Sequence, residues 1–459
     1  MSRRKIYFSL STGWALRNFV SSGVVARLAE THKIHLIYPS KFEKFISSQC
    51  KSDNLERTHY DAGEEPFFWR VVRQARKKIY LNSRASATEH VWEVFGRRPT
   101  YKIFGARVLT AIVRLFGTQK VTVWLEKFDY FCNNRSAANK LFSEEVGGNL
   151  FIATHASTFQ DESLHRAAID GGCRTILLVL SWDHLSSKIV LGSNFDKLLV
   201  WNEVSRVEAL RTLGGYDESS VRVVGAPQFD VYANQPGISY AGWCKRSGLD
   251  PRRGFILFST MPQVRHDGQH LILRVLGEAL KDRPERFKNL QLFVKPHPFD
   301  KRSIYQSLEN DGLIKLMPSY ADGATPAESW LPSSDAALAT RDALYFSSMN
   351  INIFSTMTLE AAYFDKPIIH IAYDVPGQTN PIPCREYYKF EHFRPIADTG
   401  CSRLVADNES LLDAVEEAAS HPERRAAERR QVVERYFSVA PGRAASLVVH
   451  EIQSMADVV

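Results

Sequence analysis

Short runs rich in β-branched residues alternate with helix-length amphipathic segments along most of this 459-residue chain. Residues 5–10 (KIYFSL) and 33–39 (KIHLIYP) have the length and apolar content of buried strands, and a helix pattern over 14–30 separates them. The same rhythm returns after residue 149 and restarts after residue 254. Strands separated by helices of ten or more residues indicate βα units and a parallel sheet with both faces covered. The pattern therefore predicts the α/β fold class, as two doubly wound domains in tandem.

The length of the chain favours two domains of roughly 200 residues each, because a single core rarely grows beyond that size. We expect an N-terminal Rossmann-like domain over 1–228, with a helical basic insertion at about 64–145. A polar stretch with prolines and glycines predicts a linker at 229–250. The second domain is predicted over 251–435, and a final helix at 436–459 is expected to pack back on the first domain.

Cysteine usage and hydropathy indicate the compartment. The six cysteines are scattered without paired spacing, which argues against a disulfide framework or a zinc site and favours a reducing cytoplasm. The basic N-terminus has too short an apolar run for a signal peptide, and no stretch reaches 18 apolar residues. We therefore expect a cytoplasmic protein, located at the inner face of the plasma membrane if it binds lipid.

Positive charge is concentrated in segment 66–120. It holds twelve Lys or Arg against Glu89 and Glu93, about +10 in a chain whose net charge is +7, and aromatic side chains are interleaved with the charges. Basic amphipathic helices of this kind bind anionic lipid surfaces. The alternatives are helices packed on a core with a solvated basic face, or an anionic polymer. No nucleic-acid motif accompanies the segment, so nucleic acid is not the expected partner.

Residues 353–371 predict a strand, a polar turn, a short helix and a second strand. A helix N-terminus presents backbone N–H groups that suit an anionic phosphate. Ser355, Thr356 and Thr358 are placed to cap that helix and to donate to phosphate oxygens. Glu360, one turn later, is of the right type to accept both hydroxyls of a ribose. The alternative is an ordinary capped helix of an α/β sheet.

Lys295-Pro296-His297-Pro298 comes where a strand of the second domain should end. The two prolines stiffen the loop, so that the imidazole of His297 is held in one direction. Lys295 or His297 there would face the same edge of the sheet as the Ser355 turn and neutralise a phosphate. Ser259 and Thr260, at the end of the first strand of this domain, are further candidates for contact with phosphate.

The KPHP run, followed by N-x-F-S-T-x-T-x-E-A-x-x-x-D-K-P-I-I, resembles the C-terminal domain of GT-B glycosyltransferases. The likeness is to enzymes of bacterial surface polysaccharides: sialyltransferases, Kdo transferases and glycerophosphotransferases of teichoic acid assembly. It covers roughly residues 220–375, and Val224 to Asp230 resembles the G-x-P-x-x-D of the domain junction. The resemblance implies a GT-B fold, with two Rossmann-like domains that face a central cleft. It also implies a cytidine-nucleotide donor whose phosphates contact His297 and the hydroxyls; Glu360 keeps a uridine donor open. It implies no cofactor and no metal ion.

Two polar clusters follow predicted strands of the first domain and hold candidates for the general base. In an inverting transferase, a carboxylate or histidine removes the proton of the acceptor hydroxyl as it attacks the anomeric carbon. His155, Asp161, Glu162 and Asp183 qualify by residue type, although Asp161 and Glu162 equally suit the first turn of a helix. Further residues expected to line the cleft are Ser11, Gly13, His184 and Lys188.

Together these features predict a metal-independent, inverting GT-B glycosyltransferase. It would move a sugar or sugar-like unit from a nucleotide donor, cytidine before uridine, onto a surface-polysaccharide or lipid-linked glycan acceptor. Its expected partners are the donor, the acceptor and an anionic membrane surface that segment 66–120 contacts. Two alternatives stay open: a non-hydrolysing UDP-N-acetylhexosamine 2-epimerase, which shares the two-domain fold, and an inactive GT-B scaffold in glycan assembly.

Overall fold

A computed structural model gives the fold of the chain. It describes residues 4–83, 86–96, 111–113, 115–117, 120–121, 124–125, 127–128, 136–142, 149–154, 156, 158–187, 191, 193–318, 331 and 334–457. The chain divides into two compact units. Unit 1 comprises Met1–His90, Arg98–Asp230 and Ser438–Val459, and unit 2 comprises Val91–Arg97 and Val231–Phe437.

Unit 1 is built on a seven-stranded sheet with the order β3-β2-β1-β4-β5-β6-β7, in which every pairing is parallel. Its strands are β1 Ile6–Ser9, β2 Ile34–Tyr38, β3 Leu55–His59, β4 Leu150–Ala153, β5 Arg174–Leu178, β6 Lys197–Val200 and β7 Val221–Val223. Its helices are α1 Gly13–Ala15 (continued by a π-helical turn, Leu16–Ser21), α2 Val24–Ala29, α3 Glu43–Gln49, α4 Phe67–Ser83, α5 Ala87–Val94, α6 Ser136–Phe142, α7 Phe159–Asp170, α8 His184–Ser187 and α9 Glu203–Thr212. The last helix of the chain also belongs to this unit.

Unit 2 repeats the plan with a six-stranded parallel sheet of order β10-β9-β8-β11-β12-β13. Its strands are β8 Phe255–Ser259, β9 Gln291–Lys295, β10 Lys315–Leu316, β11 Met349–Asn352, β12 Ile368–Ile371 and β13 Arg403–Val405. Its helices are α10 Tyr240–Ser247, α11 Gln269–Asp282, α12 Ser303–Asn310, α13 Ser334–Phe346, α14 Met357–Tyr363, α15 Arg394–Ala397, α16 Asn408–Ser420 and α17 Ala426–Tyr436. Residues 91–94, the end of α5, also pack here, with Val91 in the core of unit 2.

Each sheet is covered on both faces. All five residues of β8 are buried, as are all four of β1, β4, β11 and β12, so the central strands have no solvent-facing side. This explains why β4 and most of β1, β8 and β12 read as continuous apolar runs in the sequence, whereas β11 alternates apolar residues with the buried Asn350 and Asn352. The predicted fold class, α/β with two Rossmann-like doubly wound parts of the GT-B kind, is confirmed.

The last helix, α18 Ala444–Ala456, completes the core of unit 1. Val448 and Ile452 are fully buried there, in one cluster with Val24 and Leu28 of α2. The chain therefore returns to unit 1 after it has built unit 2. The change from one unit to the other falls between residues 230 and 231 and again between 437 and 438.

The G-x-P-x-x-D motif joins the start of α18 to the sheet of unit 1. Gly225 has a φ of +82°, and a Cβ atom placed on it would lie 2.9 Å from the Cβ of Ala444, so only glycine fits. The Asp230 carboxylate accepts hydrogen bonds from the backbone N–H groups of Gly442 (2.8 Å), Ala444 (3.1 Å) and Ala445 (2.8 Å). Asp230 therefore caps α18 from a distant part of the chain.

Helix α4 carries much of the described basic segment. Its inner face places Trp69, Val72 and Ile79 in the interior of unit 1, whereas Phe67 and Phe68 are 69% and 66% exposed. At least four of its basic side chains have acidic partners: Arg70 and Arg73 with Glu65, Arg76 with Glu162, and Lys78 with Glu89. Arg84, Arg97, Arg98, Lys102, Arg107 and Arg114 lie outside the described residues.

Within the described ranges, no helix combines the length and the apolar content that crossing a membrane would need.

Replacing Asp230 with alanine removes the cap of α18. We expect the free energy of unfolding to fall by about 1–3 kcal/mol, because three backbone N–H groups lose a charged acceptor at once. Urea unfolding followed by circular dichroism measures the change. Asp53→Ala, at an exposed carboxylate of unit 1, is the control and should change the free energy by less than about 0.5 kcal/mol. Equal effects of the two substitutions would contradict the capping role.

Candidate functional site

The sheet of unit 2 has a point where its strand order reverses, between β8 and β11. Ligands of doubly wound sheets bind at the carboxyl ends of the strands next to such a point. The loops that follow β8, β9 and β11 begin at this edge, and they carry Thr260, His297 and Ser355. The structure thus brings the two motifs predicted for the donor to one edge of one sheet. We call this edge, with residues 259–260, 295–300 and 353–360, the donor edge.

His297 is held in one tautomer by its own loop. The backbone N–H of Phe299 donates a hydrogen bond to His297 Nδ1 at 3.2 Å, and the two rings meet edge to face with centroids 4.8 Å apart. Because Nδ1 accepts this bond, the proton of a neutral imidazole lies on Nε2. His297 is partly exposed, and no hydrogen bond joins its Nε2 to a residue in the described ranges. The imidazole therefore offers one N–H donor to a ligand.

Burial and the positive charge of Lys295 lower the pKa of His297 to about 3. The imidazole is neutral at physiological pH, so it can donate a hydrogen bond to a phosphate without adding charge. Desolvation disfavours the cationic form of His297, and the expectation that His297 neutralises a phosphate stays a prediction. Of this pair, Lys295 is the side chain that carries the positive charge.

A buried network supports the His297 loop from beneath. The Thr260 hydroxyl accepts a hydrogen bond from the His297 backbone N–H (2.7 Å) and donates one to Asp300 Oδ2 (3.1 Å). Asp300 also accepts from the Tyr305 hydroxyl (2.9 Å) and from the Gln263 backbone N–H (2.8 Å). Burial raises the pKa of Asp300. The hydroxyl of Thr260, predicted to contact phosphate, is thus used to position the loop that carries His297.

The turn after β11 begins with a strained residue. Phe354 has a φ of +42°, in the left-handed region that a bulky side chain rarely adopts. Its ring packs against Tyr387, Phe390 and Phe393, with centroids 4.8–5.4 Å apart, and these contacts hold it in place. Strain of this kind persists only where the surroundings determine the conformation, and it is frequent at functional sites.

Ser355 and Thr356, which follow Phe354, are both partly exposed. Ser355 Oγ accepts a hydrogen bond from the backbone N–H of Met357 at 3.2 Å, so it caps the first turn of α14. Thr356 precedes the helix without such a bond from its side chain. Both residues therefore lie at the donor edge.

Thr358 points into the unit instead. It is fully buried, and its hydroxyl lies 3.2 Å from Asn352 Oδ1 and 2.8 Å from His370 Nε2. Asn352 in turn donates to Asn350, which contacts Ser259 at 3.2 Å. Burial lowers the pKa of His370 to about 3, so the whole chain of polar groups is uncharged. Thr358 and Ser259 therefore tie α14 to three strands.

Glu360 lies one turn into α14 and is 9% exposed. The Tyr232 hydroxyl donates a hydrogen bond to its Oε2. Tyr232 comes from the short 3₁₀ helix Pro227–Ala233 and was not predicted as a site residue. One carboxylate oxygen is therefore held by the protein, which orients the carboxylate.

The equivalent reversal in unit 1 lies between β1 and β4, and Asp161 sits there. Its carboxylate accepts hydrogen bonds from Ser9 Oγ and Ser11 Oγ, both at 2.6 Å, and from Thr158 Oγ1. Asp161 is fully buried, and this burial raises its pKa to about 6. Thr158 also caps α7 through the Asp161 N–H. Asp161 thus ties the loop after β1 to α7.

Glu162 is buried in ion pairs with Arg76 of α4 (3.4 Å) and Arg166 (2.8 Å). These contacts attach the basic helix α4 to α7, together with the Trp69 ring against Phe159 at 5.0 Å. Asp161 and Glu162 therefore both have interior partners. The catalytic role predicted for them stays a prediction.

The other residues predicted for unit 1 occupy different surroundings. Asp183 is partly exposed and precedes α8, whereas His184 is buried as the first residue of that helix. Gly13 is buried at the start of α1. His155 and Lys188 lie outside the described residues. Within the described ranges, no group of three or more His, Cys, Asp or Glu is arranged to hold a metal ion.

The sequence analysis missed the residues that support the site from below: Tyr232, Asp300, Tyr305, Phe354 and His370. Asp300 follows KPHP by two positions, and Phe354 and His370 stand within residues 353–371, so these three lay beside predicted motifs. Their supporting roles come from contacts in the folded chain, as does that of Tyr232, which reaches Glu360 across 128 residues.

Residues 175–454 match the family described as CDP-glycerol:poly(glycerophosphate) glycerophosphotransferase. The match covers more than half of the chain and includes the whole donor edge. The chain belongs to this family. It is therefore an enzyme of surface-polymer synthesis that uses a nucleotide-activated donor, as the resemblance had implied. No curated protein matches the chain by sequence.

Solved structures with this fold are similar over nearly the whole chain. A putative UDP-N-acetylglucosamine 2-epimerase from Listeria monocytogenes has a TM-score of 0.53 at 11% identity, covering 100% of this chain and 97% of its own. Another UDP-N-acetylglucosamine 2-epimerase has a TM-score of 0.53 at 11% identity, covering 98% and 96%. MnaA of S. aureus, solved with UDP, has a TM-score of 0.51 at 11% identity, covering 99% and 98%. At such identities these likenesses show the fold alone.

Asp161→Asn tests the buried carboxylate of unit 1. The raised pKa of Asp161 favours the folded protein while the group is protonated, and this stability is lost as pH rises through about 6. An asparagine side chain does not ionise in this range, so the variant does not lose stability in this way. The free energy of unfolding of the variant, relative to the parent, should therefore rise by about 2–3 kcal/mol between pH 4 and pH 7.

Urea unfolding of both proteins at each pH measures this difference, in which other titrating groups cancel. A difference that stays flat between pH 4 and pH 7 would show that Asp161 titrates normally.

Proposed function

We propose that this enzyme transfers a glycerol phosphate or similar unit from a cytidine-diphosphate donor to a hydroxyl of a phosphate-containing surface polymer. The geometry of His297 carries the proposal: a neutral imidazole with Nδ1 occupied and Nε2–H available, at the carboxyl edge of a Rossmann-like sheet. The family match supports the cytidine donor over a uridine donor. It also favours a transferase over the 2-epimerase.

The donor edge supplies groups suited to each part of such a donor. His297 Nε2–H and the hydroxyls of Ser355 and Thr356 donate to phosphate oxygens, and Lys295 adds positive charge. Glu360, held by Tyr232, accepts the ribose hydroxyls. Helix α14 has only seven residues, so the side chains contribute more than the helix dipole.

In the proposed reaction, the acceptor hydroxyl attacks the phosphorus that bears the glycerol. A phosphodiester bond forms, the P–O bond to the other phosphate breaks, and CMP leaves with the electron pair. His297 donates a hydrogen bond to phosphate oxygens as charge develops, which lowers the barrier. A general base takes the acceptor proton; among its described candidates, Asp183 is the one that is not buried.

His297→Ala should lower the rate of CMP release from CDP-glycerol by at least about 100-fold, because one donor to the developing charge is lost. His297→Gln should restore part of the rate, since its amide N–H can donate but not in the same direction. Release of CMP in the presence of a poly(glycerol phosphate) acceptor measures both. His450→Ala, at an exposed histidine of α18, is the control and should match the parent.

Unchanged CMP release in His297→Ala would remove His297 from the site. Thermal shifts with CMP, CDP, UDP and GDP test the donor class separately. Stabilisation by uridine but not cytidine nucleotides would contradict the cytidine donor.

We further propose that α4 docks on an anionic membrane surface. Phe67, Phe68 and Val71 share one exposed face of the helix, and the arginines Arg70 and Arg73 lie beside them, 55% and 31% exposed. Exposed aromatic side chains insert at the lipid interface, and flanking cations attract anionic headgroups. Because Glu65 pairs with both arginines, the apolar side chains carry more of the binding than the sequence suggested.

The double substitution Phe67→Ser with Phe68→Ser should reduce co-sedimentation with phosphatidylglycerol vesicles at least about tenfold. The variant lacks the two aromatic rings whose transfer from water to the lipid interface favours binding. Val207→Ser, at a 59% exposed apolar residue elsewhere in unit 1, is the control. Binding should also weaken with salt. Equal binding of the parent protein to neutral phosphatidylcholine vesicles would refute the electrostatic contribution.

A further inference from the structure

Unit 2 has a second concave surface, at the opposite edge of its sheet from the donor edge. A cavity of about 20 Å³ opens where β12 begins at Ile368 and β13 begins at Arg403. The end of α16 and the start of α17 close its sides. Four arginines and one histidine line it: Arg403, His421, Arg424, Arg425 and Arg429. We call it the arginine cavity.

One of these arginines is part of the architecture. Arg429 is 1% exposed, and its guanidinium donates to Asp365 Oδ1 (2.7 Å) and to the backbone carbonyls of Arg424 (2.7 Å) and Pro422 (2.9 Å). Each guanidinium nitrogen thus donates to one acceptor of the protein, so Arg429 forms a wall of the cavity and holds the loop before α17.

The remaining three arginines outnumber the acidic residues that line the cavity. Glu417 is the one acidic residue among those that line the cavity, and its Oε1 pairs with Arg424 (3.3 Å) and Arg425 (2.8 Å). Arg403 is exposed, and its side chain makes no hydrogen bond or ion pair with the part of the chain that is described. Two of the three guanidinium groups therefore share one carboxylate, and Arg403 has no acidic partner among the described residues.

We propose that the arginine cavity binds a phosphate group, as a monoester or a diester. Guanidinium groups match phosphate oxygens in charge and geometry, and several of them converging on one cavity favour an anion over water. The apolar floor formed by Ile368 and Ile369 reduces screening of these charges. The cavity has room for one or two water-sized groups, so a phosphate would place one or two of its oxygens inside it and keep the others at the opening. This site is separate from the donor edge and does not depend on the transfer reaction.

Isothermal titration with inorganic phosphate at 0.15 M NaCl tests the proposal. Measurements on the His297→Ala background weaken the contribution of the donor edge, and what remains of it is the same in every variant of the arginine cavity. Arg403→Gln should weaken binding about tenfold, since a charged hydrogen bond is lost. Glu417→Gln should tighten binding several-fold, because it removes the carboxylate that competes for Arg424 and Arg425. Arg246→Gln, at an exposed arginine of α10, removes the same charge outside the cavity and should change nothing.

The opposite effects of Arg403→Gln and Glu417→Gln separate binding from simple loss of structure. Equal phosphate affinity in all variants, or weaker binding in Glu417→Gln, would overturn the site. The source of the phosphate follows from two further titrations. Binding of sn-glycerol 3-phosphate that depends on Arg403 indicates a soluble or polymer-borne group, and Arg403-dependent binding to phosphatidylglycerol but not phosphatidylcholine vesicles indicates a lipid headgroup.

Discussion

The donor edge and the cluster around Asp161 depend on one constraint: each belongs to a parallel sheet whose two faces are buried. A parallel strand must be followed by a crossover, so every strand of one sheet ends at the same edge and every loop after a strand begins there. At the reversal of strand order, neighbouring loops diverge and leave room for a ligand. His297 and Ser355 lie at the same edge of one sheet although they are 58 positions apart in the chain, and Asp161 contacts Ser9 at the corresponding edge of the other sheet.

Beneath the donor edge, polar residues are buried in pairs that satisfy one another. Asn350, Asn352, Thr358 and His370 form a continuous chain of contacts inside the sheet, and Thr260 with Asp300 forms a second. A buried polar group without a partner is costly, whereas a satisfied network fixes one arrangement. These networks hold the strained turn at Phe354 and the His297 loop, so the partly exposed donors above them are preorganised.

Local sequence predicted the groups that face the ligand. KPHP and the hydroxyl-rich turn before α14 carry their signal within a few residues, since prolines, strand ends and helix starts are local features. The local sequence did not predict which of these side chains are charged or paired in the folded protein. His297 is neutral because the folded unit desolvates it beside Lys295, and Arg76 of the basic segment is paired with Glu162, 86 residues away.

The sequence by itself determined the fold class, the two-part organisation and the identity of the candidate donor contacts, because periodicity, turn residues and short motifs are written in neighbouring positions. Only the tertiary structure decided which of those side chains face outward. It turned Thr358, Asp161 and Glu162 inward, left Ser355 and His297 at the edge, and gathered arginines of three elements around one cavity. Those outcomes depend on burial and on pairing between distant residues, which no local pattern encodes.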